Sequence, residues 1–233
     1  MEYRTLSHRQ AKAFYDRFGK KQDSQSFYED IAIKALIRKC EFDRARAVFE
    51  FGCGTGRFAE RLLERHLPSN ARYVGVDISE TMVALANNRL ARFGLRAEVH
   101  LVRGSPQLDF ETCAFDRFVS NYVFDLLEFE DMGTVLEEAW RILSDGGLLG
   151  LASLTHGFTF VSRAVESIWM LIYAIRPALL GGCRPIRLSE LVTEPNWRIL
   201  YDSKFSAYGV PSEVLVSKKM AIKDGEQRAT PKK

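Results

Sequence analysis

The chain of 233 residues is short of the features that mark several large protein classes. Its 4 cysteines, Cys40, Cys53, Cys113 and Cys183, form neither a Cys-x-x-Cys pair nor a His-Cys metal spacing. That excludes a readable disulfide framework or zinc site, so no metal ligand is nominated and the thiols are expected to be reduced, as in a cytoplasmic protein. Charge of one sign is not in excess: 33 basic residues against 30 acidic ones leave a net +3, well mixed along the chain. A basic stripe of the kind that grips nucleic acid is therefore missing. The start, Met1-Glu2-Tyr3-Arg4-Thr5, has no apolar signal core and is not an acid-poor transit arm, so no export signal is expected. No internal repeat is visible. A hydrophobic content of 46% at this length fits a single globular α/β domain with a substantial core.

What is present is concentrated between Val48 and Phe58. An apolar, strand-like run carrying Glu50 breaks into three alternating glycines, Gly52, Gly54 and Gly56, with the small Cys53 between the first two. Glycines so placed let a polar ligand touch the main chain, and the helix that follows directs free N–H groups at it. A dinucleotide fingerprint, Gly-x-Gly-x-x-Gly, would need its third glycine where Arg57 stands. The phosphate loop of nucleotide hydrolases fails too, since no Lys-Ser or Lys-Thr follows. A second apolar run, Tyr73 to Val76, ends on Asp77, which lies 77 − 56 = 21 residues past Gly56. In open parallel sheets an acid about 20 positions beyond the glycine loop takes ribose hydroxyls.

Further along, Val99–Ser105, Phe115–Tyr122 and Leu148–Leu154 read as buried strands. Ser79 is a good N-cap for a helix bearing Met82, Val83, Ala86 and Leu90, and Val135, Leu136, Ala139, Trp140 and Leu143 stripe another that stops at Asp145-Gly146-Gly147. Strands alternating with helices imply parallel pairing, and Trp197–Ala207 with Ser212–Ser217 reads as a closing hairpin.

The Glu-x-Gly-x-Gly-x-Gly loop, Asp77, the Phe-Asp-x-Phe-Val opening at Phe115 and the Glu-Glu-Ala-x-Arg-Ile-Leu-Ser-Asp-Gly-Gly run from Glu137 together resemble the class I S-adenosylmethionine-dependent methyltransferases over residues 43–155. Tyr15-Asp16-Arg17-Phe18 resembles the N-terminal lid of the quinone-biosynthesis and phosphatidylethanolamine N-methyltransferase types. The resemblance implies a Rossmann-like, mostly parallel seven-stranded sheet with helices on both faces and an antiparallel C-terminal hairpin. It implies S-adenosyl-L-methionine as cofactor, held by Tyr15, Glu50, Gly52, Cys53, Gly54, Gly56, Asp77, Ile78, Ser105 and Asn121. Two departures stand out. Ser105 occupies the place where many relatives carry an acid for the adenine amino group. Ser120 to Val123 lacks the Asn/Asp-Pro-Pro-Tyr/Phe sequence of amino methyltransferases, which disfavours nucleobase amines.

A single domain is expected over 1–217, comprising a lid (8–40), the cofactor core (43–155) and an apolar insertion (157–187), with a flexible tail over 218–233. The insertion is read as the wall of a greasy pocket, hence a small or lipid-like apolar acceptor. Arg163 and Glu166 interrupt it short of the about 20 apolar residues a membrane span needs, leaving peripheral membrane contact as the second reading. Tyr122 and Asp125 past the fourth strand and His156 past the fifth are candidate bases, His100 is assigned to a strand, and His8 and His66 are read as peripheral. Oligomeric state is left open. Competing functions are a non-catalytic cofactor-binding partner subunit and, behind it, a nicotinamide-dependent reductase.

Overall fold

β1 (Ala47–Phe51) is buried along its whole length, and its alternate side chains feed two cores. Ala47, Phe49 and Phe51 enter one and Val48 the other, because successive strand side chains point to opposite faces. Both faces of the sheet are therefore covered, as a continuously apolar parallel strand requires. The computed structural model, which describes residues 5–102 and 107–221, sets β1 among β2 (Arg72–Asp77), β3 (Ala97–Leu101), β4 (Phe115–Asn121), β5 (Leu143–Leu154), β6 (Trp197–Ala207) and β7 (Val210–Lys219). The order in this seven-stranded sheet is β3-β2-β1-β4-β5-β7-β6. The first five strands pair in parallel, and β7 runs antiparallel to β5 and β6. Between β6 and β7 lies a two-residue turn, Tyr208 (φ 53°) and Gly209 (φ 83°), whose left-handed backbone suits the twist of a hairpin. The Rossmann-like architecture expected from the sequence is the one observed.

The helices are α1 (His8–Phe18), α2 (Ser26–Lys39), α3 (Arg57–Arg65), α4 (Glu80–Leu90), α5 (Phe129–Ile142), α6 (Phe160–Ile175) and the single turn α7 (Leu188–Leu191). On one face α5 places Met132, Val135, Ala139 and Ile142 against Phe49, Phe118 and Leu149. On the other, Ile33, Leu36 and Ile37 of α2 and Ala59, Leu62 and Leu63 of α3 pack with Val48, Val119 and Val214. Arg117 is buried in β4, where its guanidinium donates to the carbonyls of Cys40, Asp116 and Glu41 at 2.6, 2.9 and 2.9 Å, binding the end of α2 to the sheet.

Four expectations change. β3 is not a buried strand: it is the sheet edge, and Glu98, His100 and Leu101 are exposed. β5 starts at Leu143 rather than Leu148, because the chain after α5 pairs Leu143 with Phe115 and then bulges through the glycines before pairing Leu148 with Arg117. Order also continues past 217. Ser217 is buried in β7, and the Lys219 ammonium, 2% exposed, donates to the Leu143 carbonyl at 2.7 Å and lies 4.1 Å from the centre of the Trp140 ring. Finally, α6 faces outward, as described below.

Phe49 is fully buried and touches the rings of Phe110, Phe115 and Phe118 at 5.2 Å. Phe49→Ala is expected to cost about 3–5 kcal/mol of unfolding free energy in urea titrations, against about 0.5 kcal/mol or less for exposed Leu95→Ala. Equal effects at the two positions would contradict this placement of the core.

Candidate functional site

β1 is flanked by β2 and β4, and the chain winds outward from it in opposite directions, towards β3 on one side and β5 on the other. That is a topological switch point, and the crevice at the C-terminal strand ends is where open α/β sheets bind ligands. The glycine loop rises there. The amides of Gly52 and Cys53 both donate to the Val76 carbonyl at 2.9 Å, folding the loop onto β2. Gly54 has φ 52°, and a Cβ built on it would lie 2.5 Å from Oε1 of Gln22, a lid residue. Gly56, also left-handed, is the N-cap of α3.

Asp77, at the end of β2, holds the loop from the other side. Its Oδ2 accepts the Gly54 amide at 2.9 Å and its Oδ1 accepts the Ser79 amide at 2.9 Å, so one carboxylate joins the glycine loop to the head of α4. Burial pushes this acid up to about 6, against the pull of those amide donors. Glu50 forms the floor. Its two oxygens accept the Tyr73 hydroxyl at 2.5 Å and the Asn121 amide at 3.0 Å, and burial still drives it up to about 7. Asn121 keeps its own Oδ1 buried with no hydrogen-bond partner among the described residues, as does Gln22 with Oε1.

Two cavities meet here. The narrower, about 110 Å³, runs from Gly54 past Asp77 and Ile78 to Val102, Leu127 and Asp131. The larger, about 400 Å³, extends over Glu50, Cys53, Tyr28, Glu29 and Asp125. Tyr15, Gln22, Gly52, Asn121 and Tyr122 line both. The lid is tied down across them: Asp16 accepts the Ser79 hydroxyl at 2.6 Å, and Asp23 accepts the Thr55 hydroxyl and the Arg89 guanidinium, each at 2.6 Å.

All the expected cofactor residues within the described chain reach this crevice or its loop; Ser105 lies outside the described residues. The candidate bases separate. Tyr122 sits at the junction with a left-handed backbone (φ 55°), rare for a non-glycine residue, but its hydroxyl donates to Ser212 at 2.9 Å and burial raises it well above the ordinary tyrosine range. His156 lines neither cavity. Its Nδ1 lies 2.6 Å from a Glu166 oxygen whose partner oxygen accepts the Gly157 amide at 2.8 Å, so it secures the start of α6. His8, read as peripheral, instead borders the narrower cavity, 2.7 Å from Asp131. Gln22, Tyr28, Glu29 and Asp131 were missed; Gln22, Tyr28 and Glu29 fall in the expected lid, and Asp131 carries no local signal at all.

Residues 48–147 match the family model described as a methyltransferase domain. Over that stretch, under half of the chain, the sequence is similar to a methyltransferase domain. Among curated relatives, a demethylmenaquinone methyltransferase of Bacteroides fragilis is 28% identical over 127 residues, 54% of this chain and 50% of the relative. A carboxy-S-adenosyl-L-methionine synthase of Trichodesmium erythraeum is 32% identical over 105 residues, 44% of this chain and 40% of the relative. The chain thus spans half or less of the length of these relatives. A solved S-adenosylmethionine-dependent methyltransferase of Methanosarcina mazei shares the fold at a TM-score of 0.61 and 18% identity, over 79% of this chain and 97% of that one.

The buried acids of this crevice make the fold's stability pH-dependent. Glu50 holds its proton up to about 7 when folded but only to its ordinary 4.5 when unfolded. Its contribution to stability is therefore full below the unfolded value and is lost as pH rises through the folded one. Glu50→Gln should gain melting temperature relative to the parent between about pH 5 and pH 8; a difference that stays flat across that window would contradict the burial of an ionisable Glu50.

Proposed function

We propose that the chain binds S-adenosyl-L-methionine and transfers its methyl group to a small-molecule acceptor by in-line displacement. The observation that carries this is the bridge from Asp77 to Gly54 and Ser79 at the switch point, with two orphaned amide oxygens, on Asn121 and Gln22, beside it. These residues fit the cofactor. Buried polar atoms without partners ask for ligand donors, and the backbone approach at Gly54 leaves no room for a side chain. Asp77 is assigned to the ribose, since each carboxylate oxygen can accept more than one hydrogen bond. Ile78 with Val102 would wall the base. The loop from Gly52 through Cys53 and Gly54 to Gly56, with Glu50 and Asn121, is assigned to the amino-acid end.

When bound, the cofactor supplies a methyl group on positively charged sulfur. Everything else is positioning. Tyr15, at the junction of the cavities, offers a ring to that cation, and the tied lid keeps water from the reacting centre. Holding nucleophile and carbon in line can supply roughly 7–11 kcal/mol of barrier reduction.

The acceptor is a small molecule, a reading supported by the relative named for a quinone precursor. The helix of the apolar insertion does not supply its pocket, because α6 lines neither main cavity and the insertion reaches the larger one through Cys183 instead. That helix turns Phe160, Ile168, Leu171 and Ile175 to solvent, 89%, 61%, 63% and 76% exposed, a face that supports peripheral membrane contact instead. No helix among the described residues is long and apolar enough to cross a membrane. Wild type should co-sediment with anionic lipid vesicles and the double variant Leu171→Glu, Ile175→Glu should not; wild type left in the supernatant would remove the membrane from this reading.

Asp77→Ala should weaken S-adenosylmethionine binding by about 1–3 kcal/mol in isothermal titration, the range for charge-assisted hydrogen bonds. Unchanged affinity would take Asp77 out of the site, and tighter binding of NAD(P) than of S-adenosylmethionine would favour a reductase. Mass spectrometry of cell extract given methyl-labelled cofactor should show one small molecule gaining the label. Binding without any transfer would favour the partner-subunit reading.

A further inference from the structure

Resting on the methyltransferase reading, we propose that the larger cavity is an amine pocket, in which the methyl acceptor is an aliphatic amine held between the carboxylates of Asp125 and Glu29 and the rings of Tyr15, Tyr28 and Tyr122. Asp125 is 0% exposed and lines this cavity; the Ser153 hydroxyl and the Leu154 amide ease its carboxylate, yet neither oxygen makes a well-formed hydrogen bond with a donor among the described residues. Leaving a buried acid so unprovided is costly unless a ligand brings the donors. Arg184 eases the acid by its charge and donates to the backbone carbonyls of Asp125 and Leu127, at 3.2 and 2.6 Å. Among the other acids of this cavity, Asp30 is taken by Arg57 and Arg61 at 3.2 and 3.7 Å, and Glu50 by Tyr73 and Asn121. Glu29 stands beside the Tyr28 hydroxyl. Tyr28 meets Tyr122 edge to face, ring centres 5.8 Å apart at 90°.

A buried carboxylate short of well-formed hydrogen bonds, with a second acid near it and aromatic rings around it, is the chemistry that recognises an ammonium group: charge-assisted hydrogen bonds on one side and ring faces on the other. A neutral quinone would bring Asp125 neither a donor nor a charge. The pocket adjoins the place assigned to the sulfonium through Asn121 and Tyr122, which line both cavities. Burial brings both Asp125 and Glu29 up to about 7, where a carboxylate can take a proton from an ammonium ion near neutral pH. The amine gives one proton to the carboxylate, and its freed lone pair forms the N–C bond to the methyl carbon. As that bond forms, the C–S bond breaks with its electron pair left on sulfur. The products are a methylated ammonium ion and the neutral thioether, and the carboxylate's proton passes to solvent.

The test uses the full-length, cofactor-free protein titrated calorimetrically with n-butylamine, cadaverine and phenethylamine, each beside its alcohol counterpart. At least one amine should bind about tenfold or more tighter than its alcohol, with the preference lost in Asp125→Asn. Glu29→Gln, expected to reduce the same preference, serves as the second variant should the first not fold. Labelled S-adenosylmethionine is then supplied with the soluble amines and, separately, with phosphatidylcholine vesicles containing phosphatidylethanolamine. Label on nitrogen in either arm supports the proposal and says whether the amine is free or lipid-borne. Amines binding no better than alcohols, or label found only on oxygen or carbon, would overturn it. Cofactor affinity, measured in parallel, separates the two readings: cofactor binding without amine preference leaves methyl transfer standing, and the converse leaves only the amine pocket.

Discussion

One carboxylate sets the geometry of the whole crevice. Asp77 receives an amide from the glycine loop and another from the head of α4, so the two helix-opening segments that frame the ligand site are fixed to the end of a single strand. The glycines make the loop able to bend, and Asp77 decides where it bends to. With the loop placed, Gly52 and Cys53 can reach the Val76 carbonyl, and Glu50 and Asn121 face each other beneath it.

The same constraint explains how much could be read from the sequence. Glycine spacing, the acid at the strand end and the helix stripes are local patterns; they located the loop, Asp77 and the parallel core, and β6 to the residue. β3 was misjudged because Val99 and Leu101 alternate with polar residues whether a strand lies inside a sheet or at its edge. α6 was misjudged because an apolar helix says how much surface it offers, not what covers it. Gln22, His8 and Asp131 come together only when α1 crosses the sheet, a relation between distant segments with no local periodicity. His156 looked like a candidate base because it follows the fifth strand, and the fold instead ties it to Glu166.

Four acids, Glu29, Glu50, Asp77 and Asp125, are gathered in and around one crevice and all are pushed upward by burial. Such a concentration of hard-to-ionise groups works against folding stability, a strain that proteins tend to retain at functional sites. It also sets the sign of the field in the crevice, which favours positively charged occupants over neutral or anionic ones.

Ser79 has a second attachment. Its amide is held by Asp77, while its hydroxyl reaches Asp16 in the lid and accepts from Met82 at the first turn of α4. The floor and the roof of the narrower cavity are thus hinged on one residue, and the roof is moored again at Asp23. For the proposed cofactor, lodging beneath this roof would couple the filling of the site to the ties that Asp16 and Asp23 make.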